Sequence, residues 1–187
     1  GTTFGQNVLA DEKAFALVLD GEDDLAGLPQ FVREAAAAAA ADRGLTGKHV
    51  ITLSRSSIEP FLQFSSRRDL REKAFRAFSA PGEGGGAHDN MKLVTEMVAL
   101  REERARLLGF ASHAAFRVSD AMAKTPDAAR GMLDAVWDPA RAAAMRDRDA
   151  LQRLMTQEGV NAPLAPWDWR YYAEKLRKAR YDLDEAE

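Results

Sequence analysis

The chain has 187 residues, of which 46% are apolar, and a formal net charge of -3. That supplies a real core for one domain, or two small ones, and the small charge argues against a nucleic-acid partner. Cys is absent, which excludes a disulfide framework and a thiol nucleophile and fits a cytoplasmic protein.

Residues 1–13 show no periodicity and are expected to be irregular. Residues 14–19 (Ala-Phe-Ala-Leu-Val-Leu) form a short apolar run closed by Asp20-Gly21 and predict a strand. Residues 28–43 predict a helix, because the alanine tract has the best helix propensity and Gly44 offers a stop. Residues 49–54 (His-Val-Ile-Thr-Leu-Ser) are short and β-branched, a second strand. The two strands flank one helix and suit a two-stranded ribbon, which needs helices packed on it to persist.

Everything after that reads as helical. Residues 56–64 predict a short helix or turn around Pro60. Ser66 is placed to cap a helix over 67–78, with Asp69 in its first turn and Leu70, Ala74, Phe75 and Phe78 on one apolar face. Residues 81–86 (Pro-Gly-Glu-Gly-Gly-Gly) are a loop by composition. Asp89 is placed to cap the helix over 90–108, which carries a broad apolar stripe and ends at Gly109. Residues 112–122 predict a further helix or turn. Thr125-Pro126-Asp127 is a helix start, with a cap, Pro in the first position and an acid in the first turn. That helix is expected to run to about Glu158, with Pro139 bending it. Residues 161–166 read as a linker and 167–180 as the last full helix. No repeat with a period of about 20–50 residues is present.

Candidate chemistry is sparse. His49, His88 and His113 do not form the helical His-x-x-x-His spacing that zinc sites use, and they read as ordinary loop or strand-edge histidines. Arg55-Ser56-Ser57 lacks a nucleophile elbow. Glu83-Gly84-Gly85-Gly86 lacks the Gly-Lys-Ser/Thr ending of a phosphate loop. Arg67, Arg68, Arg71 and Lys73 are interleaved with Asp69 and Glu72, which predicts a solvated, internally paired helix face rather than a basic patch. The densest cluster is Trp167, Trp169, Tyr171 and Tyr172, with Asp168, Arg170, Glu174 and Lys175 beside them. Aromatic faces around Arg170 suit a peptide or nucleic-acid groove. The spacing favours docking: Trp169 and Tyr172 lie three apart on one helical face, and Trp167 and Tyr171 lie four apart on an adjacent one.

Three stretches carry a family resemblance. The first is His49-Val50-Ile51-Thr52-Leu53-Ser54 leading into Glu59-Pro60-Phe61-Leu62. The second is Leu100-Arg101-Glu102-Glu103-Arg104-Ala105-Arg106-Leu107-Leu108-Gly109-Phe110, followed by Met122-Ala123-Lys124-Thr125. The third is Pro166-Trp167-Asp168-Trp169-Arg170-Tyr171-Tyr172 through Tyr181-Asp182-Leu183-Asp184-Glu185. Together, in order and spacing, they resemble the thimet oligopeptidase family of zinc metallopeptidases, and residues 67–78 resemble its peptidyl-dipeptidase branch.

The resemblance implies a mainly α fold, a multi-helix segment of a neurolysin-like, zincin-type peptidase with a minor two-stranded β element. It implies a narrow channel that admits short peptides. In the family, zinc polarises the scissile carbonyl and activates water, and a Glu acts as general base. No position here matches His-Glu-x-x-His or the family's later assisting Tyr and His, so no catalytic residue and no metal ligand is carried over. The expected reading is a segment without catalytic groups, lying before the zinc helix of a cytoplasmic peptidase. Its parts are a mixed region over 1–65 and a helical region over 66–187, one unit of a larger enzyme. Zinc belongs to the parent and no cofactor to this segment. Trp167, Trp169, Arg170, Tyr171 and Tyr172 form a docking or channel-wall face. The rival reading is a stand-alone helical interaction module without activity.

The expected partners are the rest of the parent and short peptides, not nucleic acid or membrane. No apolar run approaches the roughly 20 residues that span a bilayer, and Gly1-Thr2-Thr3-Phe4-Gly5 has no signal-peptide pattern. The chain opens on Gly1 and closes where Asp184 reads as the cap of another helix, so both ends are expected to be cut points. Apolar faces at 90–108 and 166–181, parted from their neighbours, are expected to favour self-association.

Overall fold

The structure, a computed structural model, describes residues 1–181. The helix start expected at Asp184 lies outside them. The described chain is mainly helical: α1 (Thr2–Ala14), α2 (Gln30–Ala41), α3 (Arg55–Phe64), α4 (Arg68–Ser79), α5 (Met91–Leu107), α6 (His113–Val118), α7 (Pro126–Gln157) and α8 (Pro166–Tyr181). Strands β1 (Leu17–Leu19) and β2 (His49–Ile51) pair antiparallel, Leu17 opposite Ile51 and Leu19 opposite His49. Among the described residues no helix is long and apolar enough to cross a membrane.

The ribbon and helix α2 form as the sequence predicts, with shorter strands. Leu17, Leu19 and Ile51 point into a core completed by Val32 and Ala36 of α2, Ile58, Phe61 and Leu62 of α3, and Ala74 of α4. The alternation of β1 is what places both of its leucines on this core. The second strand stops at Ile51 because the chain there turns into a helix start: the Thr52 amide donates to Ser57 Oγ at 3.0 Å. Leu70, Phe75 and Phe78 pack against the same core, so the apolar face expected for α4 is the face it uses.

Residues 1–13, expected to be irregular, form most of α1. This helix buries no residue, so it has no apolar stripe for periodicity to reveal. Polar ties hold it instead. Asn7 Nδ2 donates to Asn90 Oδ1 at 2.9 Å, Asn90 Nδ2 donates to the Phe4 carbonyl at 3.1 Å, and the Gly82 amide donates to Asp11 Oδ2 at 2.8 Å.

The caps divide in the same way. Thr125 Oγ1 accepts from the Ala128 amide at 3.2 Å, as its sequence context predicts. Asp89 Oδ1 accepts from Met91 N at 2.8 Å, although the N-cap position is Asn90. Ser66 does not cap α4. The helix begins one residue later, behind Arg67, because the Ser66 amide donates to the Ala26 carbonyl at 2.9 Å and holds Ser66 in the neighbouring loop. Gly109 ends α5 with φ 82°, while the Phe110 amide reaches back to Ala105 O at 2.9 Å. Pro139 lies inside α7 and does not end it.

A second, smaller core joins the last two turns of α7 to α8 through Leu151, Met155 and Tyr172. The 158–165 connection is pinned to α7 by Gln152, whose Nε2 donates to Ala162 O at 3.0 Å and whose Oε1 accepts from Leu164 N at 2.7 Å.

Candidate functional site

Helix α8 carries every site residue expected from the sequence, and it packs against α3, α4 and α7. Its start is built by Asp168. Pro166 occupies the first helical position, and the Asp168 carboxylate reaches back to accept from the Ala165 amide at 3.1 Å. Asp168 and Tyr172 lie one turn apart and are the buried residues of the helix. Trp169 is 37% exposed. The face that docks is therefore Asp168–Tyr172, not the Trp169–Tyr172 face that spacing suggested.

Two arginines from α4 meet Asp168. Arg68 Nη2 donates to Asp168 Oδ2 at 2.8 Å, and its Nε lies 3.0 Å from Oδ1. Arg71 Nη2 donates to Oδ1 at 2.9 Å, Arg71 Nε to the Trp167 carbonyl at 3.1 Å, and Arg71 Nη1 to the Ser65 carbonyl at 2.7 Å. Arg71 is 1% exposed and Asp168 0%. This corrects the sequence reading of residues 67–73 as a solvated face. Arg67 with Asp69 and Arg76 with Glu72 do pair at the surface. Arg71, however, lies three and four residues before Ala74 and Phe75, on the stripe that faces inward.

Burial opposes ionisation of Asp168, but hydrogen bonds from Arg68, the Ala165 amide and Arg71 outweigh it, so the carboxyl is held below the usual carboxylate range. Every nitrogen of the Arg71 guanidinium has an acceptor, which is what makes a buried charge tolerable.

The aromatic residues surround this pair. The Arg71 guanidinium carbon lies 4.1 Å from the Tyr171 ring centroid, and Arg76 lies 4.9 Å from that of Trp167. Tyr171 and Tyr172 meet edge to face at 5.1 Å. Burial raises the Tyr172 hydroxyl above its ordinary pKa, and nearby Glu158 adds to the shift. Arg170 turns away to pair with Glu59 of α3 at 3.1 Å.

Beyond Tyr171 a cleft of about 550 Å³ opens, lined by Gly27, Phe64, Ser66, Glu174, Lys175 and Lys178 among others. Gln63 Nε2 donates to Glu174 Oε2 at 3.0 Å, and Lys175 pairs with Glu158 at 2.7 Å. Burial works against the Lys175 charge, and its interactions with Glu158 and Tyr171 together outweigh that, raising its pKa. The backbone floor at Gly27 has φ 83°, and a Cβ there would fall on the Phe64 carbonyl and Ser66 Oγ. Trp169 lines a separate recess of about 400 Å³ with Arg148, Leu164 and Pro166.

The histidines stay apart. His49 lies in β2, His88 sits 3.2 Å from Asp11, and His113 packs on Phe116 in α6. Among the described residues no group of three or more His, Cys, Asp or Glu is placed to hold a metal ion. The described residues do not fit a zinc site.

What sequence reasoning missed is the Arg71–Asp168 pair, whose members are 97 positions apart. One local signal existed: Asp168 follows Pro166 at the place where a carboxylate caps its own helix.

Comparison with known proteins agrees with the family resemblance. A dipeptidyl carboxypeptidase of Salmonella typhimurium is 36% identical over 184 residues, covering 98% of this chain and 27% of that protein. The dipeptidyl carboxypeptidase of Escherichia coli is 35% identical over the same length. Oligopeptidase A of Haemophilus influenzae is 31% identical over 188 residues, 98% of this chain and 28% of that protein. The chain thus spans little more than a quarter of the length of these relatives. The model of peptidase family M3 matches residues 61–187, which take in α4 to α8 and both sides of the buried pair. The helical architecture, the motifs and these matches agree: the chain belongs to peptidase family M3.

Proposed function

We propose that this chain is the scaffold and part of the channel wall of a longer, zinc-dependent, cytoplasmic peptidase that acts on short peptides and releases dipeptides from them. One observation carries the reading: the chain aligns along 98% of its length with a dipeptidyl carboxypeptidase of which it spans 27%, while no metal-holding group occurs among its described residues. In this reading residues 1–65 and 66–187 are parts of one structural unit. The zinc ligands and general base reside elsewhere in the longer protein. Trp167, Tyr171 and Tyr172 dock α8 against its neighbours, and Trp169 and Arg170 belong to the wall that peptides pass.

The test compares the 187-residue chain with the protein encoded by the complete reading frame, both supplied with zinc and a fluorogenic short peptide. The longer protein is expected to cleave it and to lose activity to a chelator, and the short chain is expected to be inert. Trp169→Ala in the longer protein should raise KM with kcat little changed. Cleavage by the short chain, or an inert longer protein without His-Glu-x-x-His, sinks the reading.

A further inference from the structure

Helix α5 and the first half of α7 are too apolar for the solvent they meet. In α5 only Ala105 is buried. In α7 the buried residues are Leu151 and Met155, both near its end, and every residue from 130 to 142 is exposed. That stretch nevertheless holds Met132, Leu133, Val136 and Trp137, each 63–66% exposed. Ala129, Leu133, Val136, Ala140 and Ala143 follow one another at intervals of four and three, the spacing of a seam that packs against another helix.

Helix α5 adds a constraint on what covers this arm. Met91, Val94 and Val98 share one face at intervals of three and four, and all are exposed. Leu100 and Leu107 lie seven apart on another face, also exposed. At about 100° per residue, Val98 and Leu100 point roughly 200° apart. A two-fold contact between copies uses one self-complementary patch on each, and it would leave the other face of α5 bare. A helix that is apolar on opposite sides is enclosed in its native setting. The relatives supply the material: almost three quarters of a protein such as the Salmonella typhimurium dipeptidyl carboxypeptidase lies outside the part this chain spans.

We propose that the α7 seam over residues 129–143, together with both faces of α5, is the surface onto which the remainder of the same M3 polypeptide folds, covering it with apolar helix faces. The proposal rests on the reading of the chain as a segment of a longer peptidase.

Hydrogen exchange on the 187-residue chain and on the complete protein tests it, with peptide cleavage measured on the same preparations. Amides at 130–142 are expected to exchange at least about 100-fold more slowly in the complete protein, as covering a locally open segment requires. The pair Leu133→Asp and Val136→Asp should leave the melting temperature of the short chain unchanged and lower that of the complete protein. Equal exchange in both proteins overturns the proposal. So does protection in the short chain that grows with concentration alongside a dimer in sedimentation, because a second copy is then the occupant. An active complete protein with 130–142 unprotected refutes this inference alone. A protected but inactive one supports it and refutes only the catalytic reading.

Discussion

At the scale of single residues, Asp168 does the most. It caps α8, neutralises Arg71 and holds α4 against α8. Asp168→Ala strands the Arg71 charge in a buried place, and breaking such a pair costs about 3–5 kcal/mol. A denaturant titration of the variant against the parent chain should show a loss of that size, and a loss below about 1 kcal/mol would mean that Arg71 finds another partner. The pH dependence has a definite sign. The folded carboxyl is depressed below the unfolded value of about 3.9, so its contribution is complete above that value. The contribution is lost as pH falls through the lower, folded pKa. Acid unfolding followed by tyrosine and tryptophan fluorescence should therefore shift to higher pH in Asp168→Asn. Gly27 is the second critical residue. Its positive φ and the nearness of the Phe64 carbonyl leave no room for a side chain. Gly27→Ala is expected to cost more than about 1 kcal/mol, read in the same denaturant titration.

Among the elements, α7 has two characters. Its last turns are fastened by Leu151, Met155 and the Gln152 hydrogen bonds. Its first half stands on its own hydrogen bonds, its Thr125 cap and little else. Pro139 removes one backbone donor from that half. Pro139→Ala restores it and should strengthen the exposed half by up to about 3 kcal/mol, visible as slower amide exchange over 130–142. Unchanged exchange there would show that the first half is held by something other than its own backbone. Helix α8 is the opposite case. Its Trp167, Tyr171 and Tyr172 are taken up within the chain, under the α4 arginines and against α7, while Trp169 stays at the rim. Of the two faces expected to favour self-association, α5 is the more open, with Met91, Val94 and Val98 all exposed.

For the whole molecule, the structure is a packed centre with an open arm. The ribbon, α2, α3 and α4 enclose one core, and α8 and the end of α7 attach to it through the second. Helices α5 and α6 and the start of α7 extend from it with apolar residues outward, Leu107 at 81% exposure among them. Many large apolar side chains exposed on one arm mark a place of contact. On the proposed reading, the 187-residue chain should bind a hydrophobic dye strongly and the longer protein weakly, and equal weak binding would mean that the arm folds back on itself.

The sequence by itself determined what depends on neighbours along the chain. The alanine tract, Thr125-Pro126, the glycines that end helices and the short β-branched runs act over one or two turns, and α2, α7, the helix ends and the ribbon followed. The motif order, with Pro166-Trp167-Asp168-Trp169 as its densest part, carried the family. Only the tertiary structure decided what depends on distant partners. Helix α1 shows no stripe because hydrogen bonds to Asn90 and Gly82 hold it rather than burial. Arg71 looked like one charge among several on α4 until a carboxylate from α8 met it. Trp169 and Tyr172 shared a face by spacing, yet Asp168 took the inward place beside Tyr172, because a carboxylate paired with two arginines can be buried and an indole can stay at the rim. An apolar stripe announces its own burial, as in α4, but the burial of a charge belongs to the meeting of two segments.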